Sequence, residues 1–298
     1  MKNTGIPAAL GAYLLWGILP IYWKAIGAVP PSETLAHRMI WSMLLTAALL
    51  AWRRDTGWLR GLARRPIVPL TFLLTATILS GNWFVYIWAM INNRIVEASL
   101  GYFINPLVNV LLGVIFLRER LRRLQWISVG IAATGVIYLT IQVGQLPWIA
   151  LTLAFSFGIY GLLRKTAALH SLQGLVVETA YMALPALGYL VYLQQAGRAH
   201  FGGDDPMLTV LLPFAGLATA LPLLLFAHGA RRIPLSSLGI LQYLAPTLQF
   251  LLGVLVYGEP FDQTRLIGYG CVWVALAIYT GEGLWRWQSG RTRPVQPR

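Results

Sequence analysis

Charge is what this chain has least of. Only 11% of its 298 residues are charged, against about a quarter in a soluble protein. With 57% hydrophobic residues and a mean hydropathy of +0.64, too little polar surface remains to cover a globule in water. Disorder and a coiled coil are excluded on the same composition. The single cysteine, Cys271, excludes an intramolecular disulfide framework. Four scattered histidines (His37, His170, His200 and His228) form no HExxH pair, and there is no CxxC, no GxSxG elbow and no glycine-rich loop ending in GK(S/T). Metal hydrolysis, nucleophilic catalysis and ATP-driven pumping by this chain alone therefore lack their residues. No enzyme, metal or cofactor is expected.

What is present is apolar length. Ten stretches are long enough to cross a bilayer: 5–27, 33–52, 67–91, 97–117, 124–141, 146–164, 174–194, 207–229, 236–256 and 263–284. Each approaches the ~20 residues a spanning helix needs. They are continuously apolar rather than alternating, so helix is expected and barrel strand is not. The first stretch carries Trp16, Tyr22 and Trp23 with no small-residue cleavage pattern after it, so it is expected to stay as a helix. The fold class expected is an all-α integral membrane protein.

The few charges present are unevenly signed. Lys and Arg number 23 and Asp and Glu 10, a formal net charge of +13. On the spans, eighteen basic residues fall on the side of the termini and three (Arg94, Arg198 and Arg265) on the other. The split predicts a multi-pass protein of the cell membrane with both termini cytoplasmic. It argues against nucleic acid as partner, because the arginines are spread over many loops rather than one face. The expected partners are the lipid bilayer and a small-molecule substrate. Monomer and homodimer are both compatible with the sequence.

The chain also repeats itself. Pro106 to Glu119 reads PLVNVLLGVIFLRE and Pro246 to Glu259 reads PTLQFLLGVLVYGE. Arg94-Ile95 and Ser99-Leu100-Gly101 match Arg232-Ile233 and Ser237-Leu238-Gly239, while Ala9, Leu10, Gly17, Ile18 and Lys24 match Ala150, Leu151, Gly158, Ile159 and Lys165. Three matches in one order predict a repeat of residues 1–141 against 146–284, followed by a cytoplasmic tail, 285–298. Five helices per unit is an odd number, so the second copy enters the membrane inverted. Inverted repeats are a mark of secondary transporters, with the site near the midplane between the halves. Alternating access of a central cavity is the functional expectation, and a passive channel or facilitator is the alternative.

The run Ala98 to Gly113, ASLGYFINPLVNVLLG, with Arg118-Glu119-Arg120 after it, resembles the RarD group of the EamA-type drug/metabolite transporter superfamily. So do Glu33 to Arg38, Gly81-Asn82-Trp83 and Leu238 to Pro246, and the similarity runs over essentially the whole chain. The resemblance implies ten helices in two inverted five-helix EamA repeats. It implies a cavity lined by helices 1, 3, 4, 6, 8 and 9, with helices 5 and 10 peripheral. RarD proteins carry a chloramphenicol-sensitivity label, and better understood relatives export amino acids or related metabolites. Export of a small amphipathic metabolite is therefore expected, with drugs as a further class of cargo. No binding residue is carried over from the group.

Ionisable and amide side chains inside spans are expensive and mark function or pairing. On helix 2, Glu33 and His37 are spaced i,i+4 and are expected to face each other, and Arg38 and Trp41 at i,i+3 are expected to stack. Arg38 lies about 7 Å in from the outer end. It is read either as a gate that attracts a substrate carboxylate or as an arginine snorkelling to the interface. His37 is a candidate for proton coupling. Glu178 occupies the position equivalent to Arg38 in the second half, so the two are expected in opposite membrane halves, unpaired. Asn82, Trp83 and Tyr86 on helix 3, Tyr102, Asn105 and Asn109 on helix 4, and Gln242, Tyr243 and Gln249 on helix 9 either bind substrate or bond neighbouring helices. Pro106 and Pro246 are expected mid-helix, freeing the carbonyls of Tyr102 and Gln242. Trp16 sits too deep for an interfacial anchor and either packs in the core or stacks on cargo. Glu119 and Glu259 are expected to balance nearby arginines or to cap the next helix.

Overall fold

The computed structural model describes residues 4–53, 67–117, 121–166, 169, 171–230 and 241–288. Among these, all regular structure is helical: α1 (Gly5–Ala25), α2 (Pro31–Trp52), α3 (Ile67–Ile91), α4 (Ile95–Leu117), α5 (Arg123–Val143), α6 (Trp148–Thr166), α7 (Ser171–Gln195), α8 (Pro206–Ala230), α9 (Leu244–Leu251) and α10 (Gln263–Gln288). Eight of them are long and apolar enough to cross a membrane, and two apolar helices are shorter, Trp148–Arg164 and Leu244–Val256. Large apolar side chains stay exposed around the bundle, Leu184 at 77% and Ile141 at 70%. A lipid-facing surface accounts for them, where water would not. Most of the arginines that set the orientation, with Glu119 and the Ser237-Leu238-Gly239 part of the repeat, lie outside the described residues.

Local sequence explains where helices begin and end. Pro31 occupies the start of α2, where a missing N–H costs nothing. Gly144 ends α5 in the left-handed conformation, φ 71°, which a residue without Cβ adopts freely. At the ninth helix the expectation of 236–256 is corrected. Leu241 is helical, Gln242 and Tyr243 form a turn, and the described helix α9 starts after it at Leu244. Pro246 therefore sits in a first turn, where its N–H would be unbonded anyway, rather than mid-helix. Pro106, its sequence equivalent, does lie inside a continuous α4. The chain runs on from α9 through a π-helical turn, Leu252–Val256.

Two ends of the bundle can be named from the contacts. Thr4 meets His228, and Arg122 pairs with Glu282, at the proximal end where α1 starts. At the distal end, Lys24 donates to Asn93, and the Glu259 carboxylate accepts from the backbone N–H groups of Ile95 and Val96, both at 2.8 Å. Glu97 accepts from the Ile149 N–H at 3.3 Å. Thus Glu259 caps the helix it faces across the bundle, α4, and Glu97 caps α6. A carboxylate at a helix N-terminus satisfies orphan donors and complements the dipole.

The helix contacts come in matched pairs. α1 packs on α8 and α9, and α6 packs on α3 and α4; α2 pairs with α7, α4 with α9 and α5 with α10. Connectivity makes α1 run from proximal to distal end and α6 the reverse. The same small-residue contact occurs in both places. A Cβ on Gly17 of α1 would lie 2.6 Å from Leu248 of α9, and one on Gly158 of α6 would lie 3.0 Å from Val108 of α4. Without a hydrophobic drive between helices in lipid, such close backbone approach is how they bind.

Two stability outcomes are expected. A Cβ on Gly101 would meet the Ala150 carbonyl oxygen at 2.7 Å, whereas one on Gly130 meets nothing. Gly101→Ala should lower stability by about 1–3 kcal/mol while Gly130→Ala does not lower it, read from thermal unfolding in detergent. Glu259→Ala should cost about 2–3 kcal/mol, because two buried N–H groups lose a charged acceptor.

Candidate substrate site and gates

Arg38 of α2 points into the bundle. Its side chain is buried, 5% exposed, so the snorkelling alternative does not describe it. The guanidinium carbon lies 3.9 Å from the ring centre of Trp83 and 5.2 Å from that of Trp23. Tyr22, Tyr86 and Tyr102 are its electrostatic neighbours, and the Tyr86 and Tyr102 rings stand edge to face at 5.8 Å. The expected stack on Trp41 is absent, because the groups that converge on Arg38 come from α1, α3 and α4. Its Nε and Nη1, and the Nε1 of Trp23, have no hydrogen-bond partner among the described residues. Each desolvated cation–π contact is worth about 2 kcal/mol. Burying the ion costs several kcal/mol, and each unmet donor about 1–3 more. The two rings therefore leave this cation under-compensated.

Glu33, one turn nearer the distal end, is close enough to His37 to interact with it electrostatically, as expected, but does not hydrogen-bond it. Its carboxylate, 0% exposed, accepts from the His200 N–H at 2.8 Å and meets His200 Nδ1 at 2.8 Å. The loop between α7 and α8 reaches over α2 to make this tie, and a long-range partner displaces the local one. His37 instead accepts from Trp41 Nε1 at 3.2 Å and packs on Phe201, ring centres 5.2 Å apart. Tyr22 adds a second distal tie, donating to the Leu211 carbonyl at 2.9 Å. His200 carried no signal beyond being a titratable residue in the same loop as Arg198.

The amides are engaged with helices. Asn82 donates to the Leu153 carbonyl at 3.1 Å and to Ser156 Oγ at 2.8 Å. Asn105 donates to the next carbonyl, Ala154, at 3.0 Å, and Asn109 donates to Asn105 at 3.1 Å. Gln249 donates to the Trp16 carbonyl at 3.0 Å and to the Tyr86 hydroxyl at 3.3 Å. α6 is thereby held by α3 and α4, and α1 by α9. Trp16 is half-buried against Tyr13 and Phe226, centroids 5.6 and 5.7 Å away. Gln242 and Tyr243 lie in the turn before α9, where Tyr243 bonds Gln242 and Thr280 of α10. They stand apart from the residues around Arg38.

Glu178 of α7 lies about 10 Å in from the proximal end, and Arg38 about as far from the distal end. Their contacts do not include each other. The Glu178 carboxylate accepts from Thr75 Oγ1 at 2.7 Å and Tyr160 OH at 3.2 Å, and Arg164 Nε lies 3.8 Å away. Arg164, in the last turn of α6, is largely buried and set over Phe72 at 5.0 Å. Thr75 on the Glu178 side, and Trp83 and Tyr86 on the Arg38 side, place contacts of both charged centres on one helix, α3. Among the described residues, no three His, Cys, Asp or Glu side chains come together as a metal site would need.

Comparison with known proteins agrees with this architecture. The EamA-like transporter family matches residues 3–141 and again 147–281. Protein RarD of Streptomyces exfoliatus is 45% identical over 293 residues, covering 98% of this chain and 93% of that protein. Protein RarD of Escherichia coli K12 is 43% identical, covering 95% and 96%. The uncharacterized transporter YojE of Bacillus subtilis is 48% identical over 284 residues, 93% of this chain and 94% of its own. A protein of known crystal structure superposes with a TM-score of 0.60 at 21% identity, covering 95% of this chain and 98% of its own, and so shares the fold. The chain is a multi-pass membrane transporter, not an enzyme, and belongs to the EamA-like transporter family, in the group of its RarD members.

Proposed function

We propose that this chain is a secondary transporter that exports a small amphipathic metabolite by alternating access between two inverted five-helix halves. The observation that carries the reading is the doubled contact, α1 on α8 and α9 against α6 on α3 and α4. Units running in opposite directions that make the same contacts can exchange conformations, opening one site to either side in turn. The twofold family match supports the same division. With both termini cytoplasmic, the distal end is the outer one, and Glu33–His200 and Tyr22–Leu211 close it. Arg38, Trp83, Tyr86 and Tyr102 then form the outer half of the site, with Trp16, Asn82, Asn105, Asn109 and Gln249 below it. Gln242 and Tyr243 flank the inner approach and Glu178 the inner gate, with His37 beside the outer one.

Proteoliposomes loaded with a metabolite panel test the reading. Accumulation against a gradient that a protonophore collapses is expected. Flux only down the gradient, indifferent to the protonophore, would establish a passive facilitator instead. No flux of any panel member, from protein that is folded and oriented, would contradict transport. For the outer gate, Glu33→Gln removes a charged acceptor of about 1.5–3 kcal/mol. Exchange of the His200 amide should then rise about tenfold or more by hydrogen-exchange mass spectrometry. Unchanged exchange would show that Glu33 does not hold the loop.

A further inference from the structure

We propose that Arg38 and the aromatic side chains around it recognise one carboxylate, so that the cargo is a small monocarboxylate with an apolar or aromatic body. The inference rests on the transport reading only in making this ligand the cargo. Arg38 is more than nine-tenths buried, and two of its donors, with the neighbouring Trp23 Nε1, have no partner among the described residues. Three unmet donors around one cation ask for an acceptor of negative charge.

The buried carboxylates of the described residues are already engaged elsewhere. Glu33 is bound to His200, Glu178 to Thr75, Tyr160 and Arg164, Glu259 to the start of α4, and Glu282 to Arg122. An acceptor from outside the chain is therefore the one that fits. One cation matches one negative charge, whereas a phosphate group carries nearly two. The planar guanidinium is also made for the planar carboxylate. Trp83 and the paired rings of Tyr86 and Tyr102 supply a face for the rest of the molecule. Arg38 lies inward of the Glu33–His200 tie, so opening that tie would expose the carboxylate site to the outer side.

The test is binding by the purified full chain in detergent, read by tryptophan fluorescence and thermal shift. The probes are phenylacetate against phenylacetamide, and leucine against leucinamide. At least one carboxylate should bind and raise the melting temperature, with its amide counterpart weaker by about 10–100-fold. Arg38→Met should lose that preference, and Arg38→Lys should retain part of it. Without ligand, Arg38→Met should melt no lower than the wild type, because it removes an uncompensated buried charge. A merely structural arginine would give the reverse, a lower melting temperature and an unchanged probe preference. Equal binding of acid and amide, the same shift from sodium chloride, no binding of either carboxylate, or undiminished carboxylate binding by Arg38→Met would overturn the proposal. Carboxylate binding without flux in proteoliposomes would contradict transport and leave the site standing. Flux of an uncharged cargo without carboxylate binding would do the opposite.

Discussion

In hydrocarbon no water stands ready to satisfy a buried polar group, and the rest of this structure follows from that constraint. Backbone groups are met by helix formation. Helix N-termini inside the bundle are met by carboxylates that reach across it, Glu259 to α4 and Glu97 to α6. Amides that would be stranded on one helix donate to carbonyls on another, Asn82 and Asn105 to consecutive residues of α6. Among the buried ions of the described residues, Arg38 stands out because its charge is held by aromatic faces.

The proposed alternating access asks packing and pairing to permit a second arrangement of the bundle. Glycines at Gly17 and Gly158 let α1 and α6 approach their partners closely. The two ties proposed to close the outer side, Glu33–His200 and Tyr22–Leu211, are polar and involve the loop between α7 and α8 and the ends of α1, α2 and α8. A carboxylate arriving at Arg38 would supply the interaction that the protein lacks. Breaking a polar tie nearby would then cost less than the new contact returns. This is differential binding between two states, the requirement for a ligand to shift any conformational equilibrium.

Much of this was legible in the sequence because the bilayer makes sequence signals strong. Apolar length marked the helices, with bounds mostly within a few residues of those found. The Gly17 and Gly158 match already related the two halves. The cost of charge in lipid singled out Glu33, Arg38 and Glu178, but left Arg38 open between a gate and a snorkelling arginine until its burial was seen. Their partners were not readable. Glu33 has His37 one turn away, yet it binds His200, 167 positions on. Arg38 has Trp41 in stacking range along α2, yet Trp23 and Trp83 hold it. Helical periodicity sees only neighbours on one helix, and the choice among distant partners is made by tertiary packing. Pro246 was misplaced because apolar sequence alone does not reveal where α9 begins.

The account turns on whether an external carboxylate completes Arg38. The most direct measurement is a structure of the full chain determined with phenylacetate bound. A carboxylate oxygen about 2.7–2.9 Å from an Arg38 nitrogen, with the phenyl ring against Trp83 or the Tyr86–Tyr102 pair, is the result expected. Phenylacetate bound elsewhere with Arg38 still unpaired, or Arg38 joined to a carboxylate of the protein itself, would contradict it.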